Sequence, residues 1–283
     1  MGFDKPLLVV GAGGQLGVAL SDLVPGAIHL DRKALDITDR DAVGAAVATH
    51  KPEVIVNAAA YTRVDAAEAD PEAAFAVNTR AVGILAEAAS RAGALLVQPS
   101  TDYVFPGTKQ SPYVEDDATG PLSVYGKSKL EGEEAALSAG RHLVVRTSWV
   151  FGQGANFIRS VVGAAKTRDE LTVVDDQWGL PTYAPDLAEG LLRLVDSEAR
   201  GIYHLAGGGA PATWAGLAEF VIEAAGIGAK VRRTSTAEYY AGHGGPVAPR
   251  PAYSVLDCSK AAALGVELRP WREAVVAYLE ELA

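Results

Sequence analysis

Short runs rich in leucine, isoleucine and valine alternate along this chain with longer, alanine-rich stretches of helical period. The runs Leu7–Val10, Ala27–Leu30, Val54–Asn57, Leu95–Pro99 and Leu143–Thr147 are almost continuously apolar. A strand with one wet face alternates polar and apolar residues, so these runs predict strands buried on both faces, as in a parallel sheet. Helices are predicted between them at roughly 15–24, 39–49, 71–92 and 124–139. Thr38-Asp39, Asp70-Pro71 and Ser123 stand just before the last three, where a side-chain oxygen can cap the first free amides and proline suits the first turn. Right-handed β-α-β crossovers then make the fold class α/β, a doubly wound parallel sheet of Rossmann type.

The regularity weakens after position 150. A helix near 156–166, a strand near 171–174, a helix near 185–196 and a strand near 202–205 are read as returning to the same sheet. Glycine-rich 206–209 opens a different region, with helices near 214–225 and 271–282 around a Gly- and Pro-rich loop at 242–251. The expected organisation is a dinucleotide-binding domain over 1–150, rejoined by about 168–206. A smaller C-terminal α/β substrate-binding region then comprises 207–283 with about 151–167. A chain of 283 residues has room for one large domain and such an annex.

Composition narrows the function classes. The formal net charge of -10 repels polyanions and anionic membranes, so no nucleic-acid partner is expected and any phosphate must be held locally. The single cysteine, Cys258, leaves no disulfide within the chain, which suits a reducing cytoplasm. The five histidines are scattered without zinc-type spacing, so no metal is expected. Met1-Gly2 would suggest myristoylation only with Ser or Thr at position six, where Pro6 stands. No apolar stretch approaches the ~20 residues of a membrane span. The protein is read as cytoplasmic, with no membrane partner.

The chemistry begins where the first strand runs into Gly11-Ala12-Gly13-Gly14-Gln15-Leu16-Gly17 and a helix. Gly11, Gly14 and Gly17 let the backbone turn tightly and let a diphosphate lie against the helix N-terminal amides. Asp31 closes the second strand, where an acidic side chain accepts hydrogen bonds from an adenosine ribose. Tyr125 and Lys129, four residues apart, share one face of the predicted fourth helix. A neighbouring ammonium lowers a tyrosine pKa, so Tyr125 could exchange a proton with a substrate oxygen. Thr101, in Ser100-Thr101-Asp102-Tyr103-Val104-Phe105, follows the fourth strand at the sheet edge where ligands bind, and can hydrogen-bond a carbonyl oxygen. Each motif has a plainer reading as a turn, a loop cap or a solvated helix face. Their coincidence at one edge, in the order hydride transfer needs, points to a reductase.

Together with Val56-Asn57-Ala58-Ala59-Ala60-Tyr61-Thr62, Val64-Asp65, Ala67-Glu68, Arg146-Thr147-Ser148-Trp149-Val150, Asp176-Gln177, Gly179, Pro181-Thr182, Arg250-Pro251, Ser254, Leu256 and Asp257, these motifs extend over nearly the whole chain. They resemble the extended short-chain dehydrogenase/reductases and, within them, the dTDP-4-dehydrorhamnose reductases. The resemblance implies that Gly14, Gln15 and Leu16 touch the diphosphate of NADPH or NADH, Asp31 the ribose, Asp36 and Ile37 the adenine end, and Ala60, Tyr61 and Thr62 the inner half of the dinucleotide. Arg32 could pair with the extra phosphate of NADPH. Tyr125 is the implied proton donor and Lys129 the holder of the nicotinamide ribose. Thr101 and Asp102 are implied to face the sugar, and Trp149 to pack on it.

The implied reaction is reduction of the C4 ketone of dTDP-4-dehydro-L-rhamnose to dTDP-L-rhamnose, the last step of dTDP-rhamnose synthesis for polysaccharides. Two alternatives stay open: a reductase or epimerase of another nucleoside diphosphate sugar, and a non-catalytic dinucleotide-binding regulatory subunit. One departure concerns the third loop glycine. Some similar proteins carry, two residues beyond it, a glutamate that binds magnesium at a dimer interface; here Ala19 stands there. A methyl group supplies no oxygen ligand, so a monomer or a homodimer not linked by magnesium is expected.

Overall fold

In a computed structural model, the structure describes residues 3–242 and 244–282. Met1-Gly2 and His243, within the predicted loop at 242–251, lie outside the described residues, as does Ala283. The first half of the chain runs β1 (Leu7–Val10), α1 (Gln15–Leu23), β2 (Ile28–Leu30), α2 (Arg40–His50), β3 (Val54–Asn57), α3 (Val64–Ala69), α4 (Pro71–Phe75), a π-helical turn (Ala76–Arg80) and α5 (Ala81–Ala92). It continues through β4 (Leu95–Thr101), a 3-10 turn (Asp102–Val104), α6 (Val124–Leu137) and β5 (His142–Thr147). Next come β6 (Val150–Phe151), α7 (Phe157–Ala165), β7 (Glu170–Val174), β8 (Trp178–Gly179), β9 (Thr182–Tyr183), α8 (Ala184–Asp196) and β10 (Gly201–His204). The chain closes with β11 (Ala212–Thr213), α9 (Trp214–Ala224), β12 (Lys230–Thr234), α10 (Thr236–Tyr240), α11 (Ser259–Ala262) and α12 (Trp271–Leu282).

Six strands make one parallel sheet in the order β2-β1-β3-β4-β5-β10. Successive side chains of a strand point to opposite faces, and here both faces are apolar. Leu7 and Val9 enter a core with Leu16 and Leu20 of α1 and Leu187 and Leu191 of α8. Leu8 and Val10 enter another with Val43 of α2, Leu85 of α5 and Ala136 of α6. This double burial is the reason the strands read as unbroken apolar runs. The capping residues act as expected: Asp39 accepts from the amides of Asp41 and Ala42, Asp70 from Ala73, and Ser123 from Gly126.

Three expectations need correction. The helix at 156–166 and the strand at 171–174 form as α7 and β7 but do not return to the central sheet: α7 packs on α9, and β7 pairs in parallel with β12 in a separate two-stranded sheet. Its alternate residues Leu171 and Val173 pack into a third core with α7, α9 and α12, so the same apolar run satisfies its burial elsewhere. The single helix predicted over 71–92 is interrupted by the π-helical turn, and α3 precedes it. β4 runs two residues beyond Pro99 and carries Ser100 and Thr101 in register with Arg146 and Thr147 of β5. By contrast α8 and β10 do rejoin the sheet, α8 against α1 and β10 beside β5.

The segment after α10 stitches the two parts together. Tyr113, in the loop before α6, exchanges backbone hydrogen bonds with Val255 and Asp257, and Trp178 does so with Ala252 and Ser254. Arg250 is ion-paired with Asp65 of α3 at 2.7 Å, and the amide of Ala248 donates to the same carboxylate.

Candidate active site

β2 and β3 flank β1, so the strand order reverses at β1 and a crevice opens at the carboxyl ends of β1 and β3. The loop from Gly11 to Gly14 turns over this crevice. Gly11 has φ +75°, and a Cβ there would stand 2.3 Å from the amide nitrogen of Ala59; a Cβ on Gly17 would stand 2.4 Å from the Gly11 carbonyl oxygen. Both positions therefore require glycine. Gly14 is the N-cap of α1, and no side chain caps the helix. The first-turn amides and the positive end of the helix dipole therefore face the crevice.

A cavity of about 600 Å³ extends from this loop along the sheet edge. Gly14, Gln15, Leu16, Ala60, Thr62, Thr101, Asp102, Tyr125, Lys129 and Trp149 all line it. Asp31, Arg32, Asp36, Ile37 and Tyr61 are outside its lining. Asp31 lies beside Gly13, its Cβ 3.8 Å from a Cβ built there, and accepts at Oδ1 from the amides of Lys33 and Ala34. Asp36 is exposed and accepts from the Thr38 amide and hydroxyl, which with nearby Arg32 hold its pKa low. The side chain of Ile37 is buried in the sheet core.

The polar wall has a defined connectivity. Thr101 donates to Asp102 Oδ1 at 3.0 Å and accepts from the Tyr103 amide at 3.2 Å, and it shares the cavity wall with Tyr125. Asp102 is buried and also accepts from Ser254. Burial raises its pKa to about 6 against the opposing effect of these hydrogen bonds. Lys129 directs its ammonium to the Pro99 carbonyl at 2.7 Å, and burial lowers its pKa to about 8. The expected lowering of Tyr125 by Lys129 is not what this arrangement produces. Burial pushes the phenol up to about 12, with the charge of Asp102 acting in the same direction and Thr101 only partly opposing it. Tyr125 is consequently protonated at neutral pH, the state a proton donor needs.

The opposite wall is aromatic. Trp149 is held at φ +47°, an unusual backbone state for a bulky residue and one that collects at functional sites. Its ring stacks on Trp214 with centroids 3.6 Å apart. A Cβ on Gly179 would meet that ring at 2.5 Å, so Gly179 leaves the space in which Trp149 lies. Trp214 also donates from Nε1 to Gln177, which in turn donates to Thr236.

Sequence reading missed Trp214, Gln177 as its support, and Asn78. Asn78 sits in the π-helical turn, accepts from the Tyr61 amide at 2.8 Å and donates to Tyr61 O and Ser128 Oγ. It thereby fixes the 60–62 loop against α6. The available signal was a lone asparagine inside an alanine-rich helical run.

The site fits a dinucleotide. Among the described residues, Gln15 Oε1 and Thr147 Oγ1 are buried without hydrogen-bond partners, and both residues line the cavity beside the glycine cradle. No cluster of His, Cys, Asp and Glu that could hold a metal occurs among the described residues. Among them, too, no helix is long and apolar enough to cross a membrane.

A Rossmann sheet with a glycine loop at its switch point and a Thr-Tyr-Lys group along its carboxyl edge defines an extended short-chain dehydrogenase/reductase. The sequence matches the RmlD substrate binding domain family over residues 5–283. It is 42% identical to the dTDP-4-dehydrorhamnose reductase of Sinorhizobium fredii, across 94% of each chain. The structure is similar to that of a dTDP-4-dehydrorhamnose reductase from Clostridium acetobutylicum, with TM-score 0.92 and 37% identity over 98% of this chain and 99% of that one. It is also similar to the Bacillus anthracis dTDP-4-dehydrorhamnose reductase solved in complex with NADP, with TM-score 0.91 and 33% identity over 98% and 99% of the two chains. The chain belongs to the dTDP-4-dehydrorhamnose reductase family.

Proposed function

We propose that this chain reduces the C4 ketone of dTDP-4-dehydro-L-rhamnose to dTDP-L-rhamnose, the last step of dTDP-rhamnose synthesis, using NADPH or NADH. The observation that carries this reading is the convergence of Thr101, Tyr125 and Lys129 on one cavity with the glycine loop. Gly14, Gln15 and Leu16 would hold the cofactor diphosphate, Ala60 and Thr62 its inner half, Lys129 the nicotinamide ribose and Asp31 the adenosine ribose. When bound, the cofactor supplies the hydride.

The residues of the chain do the rest. Negative charge grows on the C4 oxygen as the carbon is reduced. Tyr125, kept protonated by its buried setting, donates its proton to that oxygen. Thr101 turns its hydroxyl hydrogen from Asp102 to the same atom, an interaction worth most when the charge is largest. Trp149 closes the cavity over the sugar.

The side chains near Asp31 support use of both cofactors: Asp31 suits the free 2′-hydroxyl of NADH, and Arg32 beside it suits the phosphate of NADPH. The test is loss of reduced-nicotinamide absorbance on adding dTDP-4-dehydro-L-rhamnose, with each cofactor in turn and the product's sugar configuration determined. Turnover with both supports the proposal in full. Inactivity with one overturns the reading of Asp31-Arg32; no turnover with this sugar, but turnover with a GDP- or UDP-linked keto-sugar, overturns the substrate.

A further inference from the structure

Behind the cavity, the two elements that carry the proposed catalytic groups, β4 and α6, meet β5 at one buried carboxylate. Glu133 stands one turn beyond Lys129 on α6, so the two share a helix face. It accepts the hydroxyl of Ser100, the β4 residue between Pro99, whose carbonyl receives the Lys129 ammonium, and Thr101. Arg146 of β5 grips it in a fork, Nε to Oε1 at 2.9 Å and Nη2 to Oε2 at 2.8 Å. The side chains of Glu133 and Arg146 are 2% and 3% exposed. The remaining donor of Arg146 reaches the Glu115 carbonyl, and its guanidinium lies over the Phe105 ring, 5.0 Å from the centroid.

Such a pair is a poor device for stability alone, since removing two ions from water costs about as much as their attraction returns. Its position suggests another use. Lys129 is itself buried and must stay charged to hold a ribose hydroxyl in the proposed reaction. Burial drives it toward neutrality, and Glu133 is the charge that opposes this. The other titratable groups on α6 and the elements packed against it include Tyr125 on α6, Asp102 and Tyr103 on the 3-10 turn, Arg146 on β5, and Glu68 of α3, which accepts the Val124 amide. Arg80, on the π-helical turn, is paired outward with Glu72.

We infer that Glu133 is a positioning residue that keeps Lys129 charged against the Pro99 carbonyl, and that Arg146 limits how strongly it does so. Glu133→Gln leaves Arg146 as an unbalanced cation one side chain away, whereas Arg146→Gln leaves Glu133 as an unbalanced anion. The two substitutions therefore move the proton occupancy of Lys129 in opposite directions. A role confined to bracing the strands would loosen the site in both and give no opposed signs.

This inference rests on Lys129 serving the proposed reaction, so its primary readout is made without substrate. In protein labelled with ¹³Cε-lysine, the Lys129 resonance is assigned by its disappearance in Lys129→Met and titrated in each variant. The midpoint is expected to fall by about one pH unit in Glu133→Gln and to rise by a similar amount in Arg146→Gln. The double variant Glu133→Gln/Arg146→Gln, which keeps hydrogen-bonding groups and removes both charges, should lie between them and guards against one single variant failing to fold. In the wild type and Glu133→Gln, the alkaline limb of the rate profile should follow the same order. Shifts of one sign in both single variants, or an unmoved Lys129 midpoint, overturn the inference. Opposed midpoints without any turnover by the wild type would instead overturn the proposed function and leave the electrostatic assignment standing.

Discussion

The wall of the cleft that carries Tyr125 and Lys129 is backed by six hydrogen-bonded parallel strands, whereas the wall that carries Trp149 and Trp214 rests on strand pairs such as β6 with β9 and β8 with β11, two residues each. The first wall is built from chain segments whose apolar period alone tells them where to lie. The second depends on single side chains meeting across long stretches of sequence: Gly179 under Trp149, Gln177 on Trp214, Ser254 on Asp102. A regular surface thus presents the proposed reacting groups and the glycine cradle, and an irregular one closes the other side of the cavity. Site precision comes more readily from strands and helices than from loops, which fits hydride and proton transfer being assigned to the first wall.

The comparison breaks most visibly if chemistry is removed from the regular wall. Tyr125→Phe should lose roughly 100- to 10,000-fold in turnover with unchanged thermal unfolding and cofactor affinity. If it keeps more than about half the wild-type rate when chemistry limits turnover, the proton donor lies elsewhere. The irregular wall should respond differently. Gly179→Ala forces the Trp149 ring to move, and a displaced positioning group costs up to about 100-fold. The loss is expected in kcat/KM for the sugar, while the cofactor dissociation constant stays put. Equal losses in sugar and cofactor binding would show that the two walls are not separable.

Stability against pH sharpens the contrast between the seam and the sheet edge. His204, buried on β10 with Nδ1 against the carbonyls of Tyr113 and Asp257, is lowered from 6.5 to about 4, chiefly by burial. The unfolded chain takes up this proton first, so its contribution is full above about 6.5 and is lost as the pH falls toward about 4. Asp102 behaves in the opposite sense: raised from 3.8 to about 6, its contribution is full below 3.8 and is lost as the pH rises through about 6. Each difference corresponds to on the order of 3 kcal/mol. Relative to wild type, Asp102→Asn should gain melting temperature between pH 4 and 6, and His204→Gln should gain it on acidification from pH 6.5 to 4. Parallel trends in the two variants would refute the assignment.

The smallest effect expected is none. Ala19 is buried in the core between α1 and α8 and offers no ligand, so EDTA should leave both the rate and the sedimentation behaviour unchanged. Loss of both, restored by magnesium, would show that other carboxylates supply a metal site.

Much of the first wall was legible because its determinants are local. Leu7–Val10 is buried on both faces, Gly11 and Gly17 leave no room for a Cβ, and Tyr125 and Lys129 are one helical turn apart; each fact is written in a few neighbouring residues. The same local logic misplaced β7, whose apolar run is equally satisfied beside β12 as in the central sheet, because periodicity reports that a face is buried but not against what. It also misjudged Tyr125. Proximity to Lys129 on a helix face suggested a lowered pKa, but the direction of the ammonium and the burial of the phenol are properties of the packed site. Sequence by itself therefore determined the doubly wound sheet, the glycine cradle and the placing of Tyr125 and Lys129 on one helix face, since these rest on backbone sterics and short-range spacing. The tertiary structure alone decided the Trp149–Trp214 stack, the Asp102–Ser254 contact and the Glu133–Arg146 pair behind Lys129, because burial and Coulomb interactions depend on which distant side chains are brought within a few ångströms.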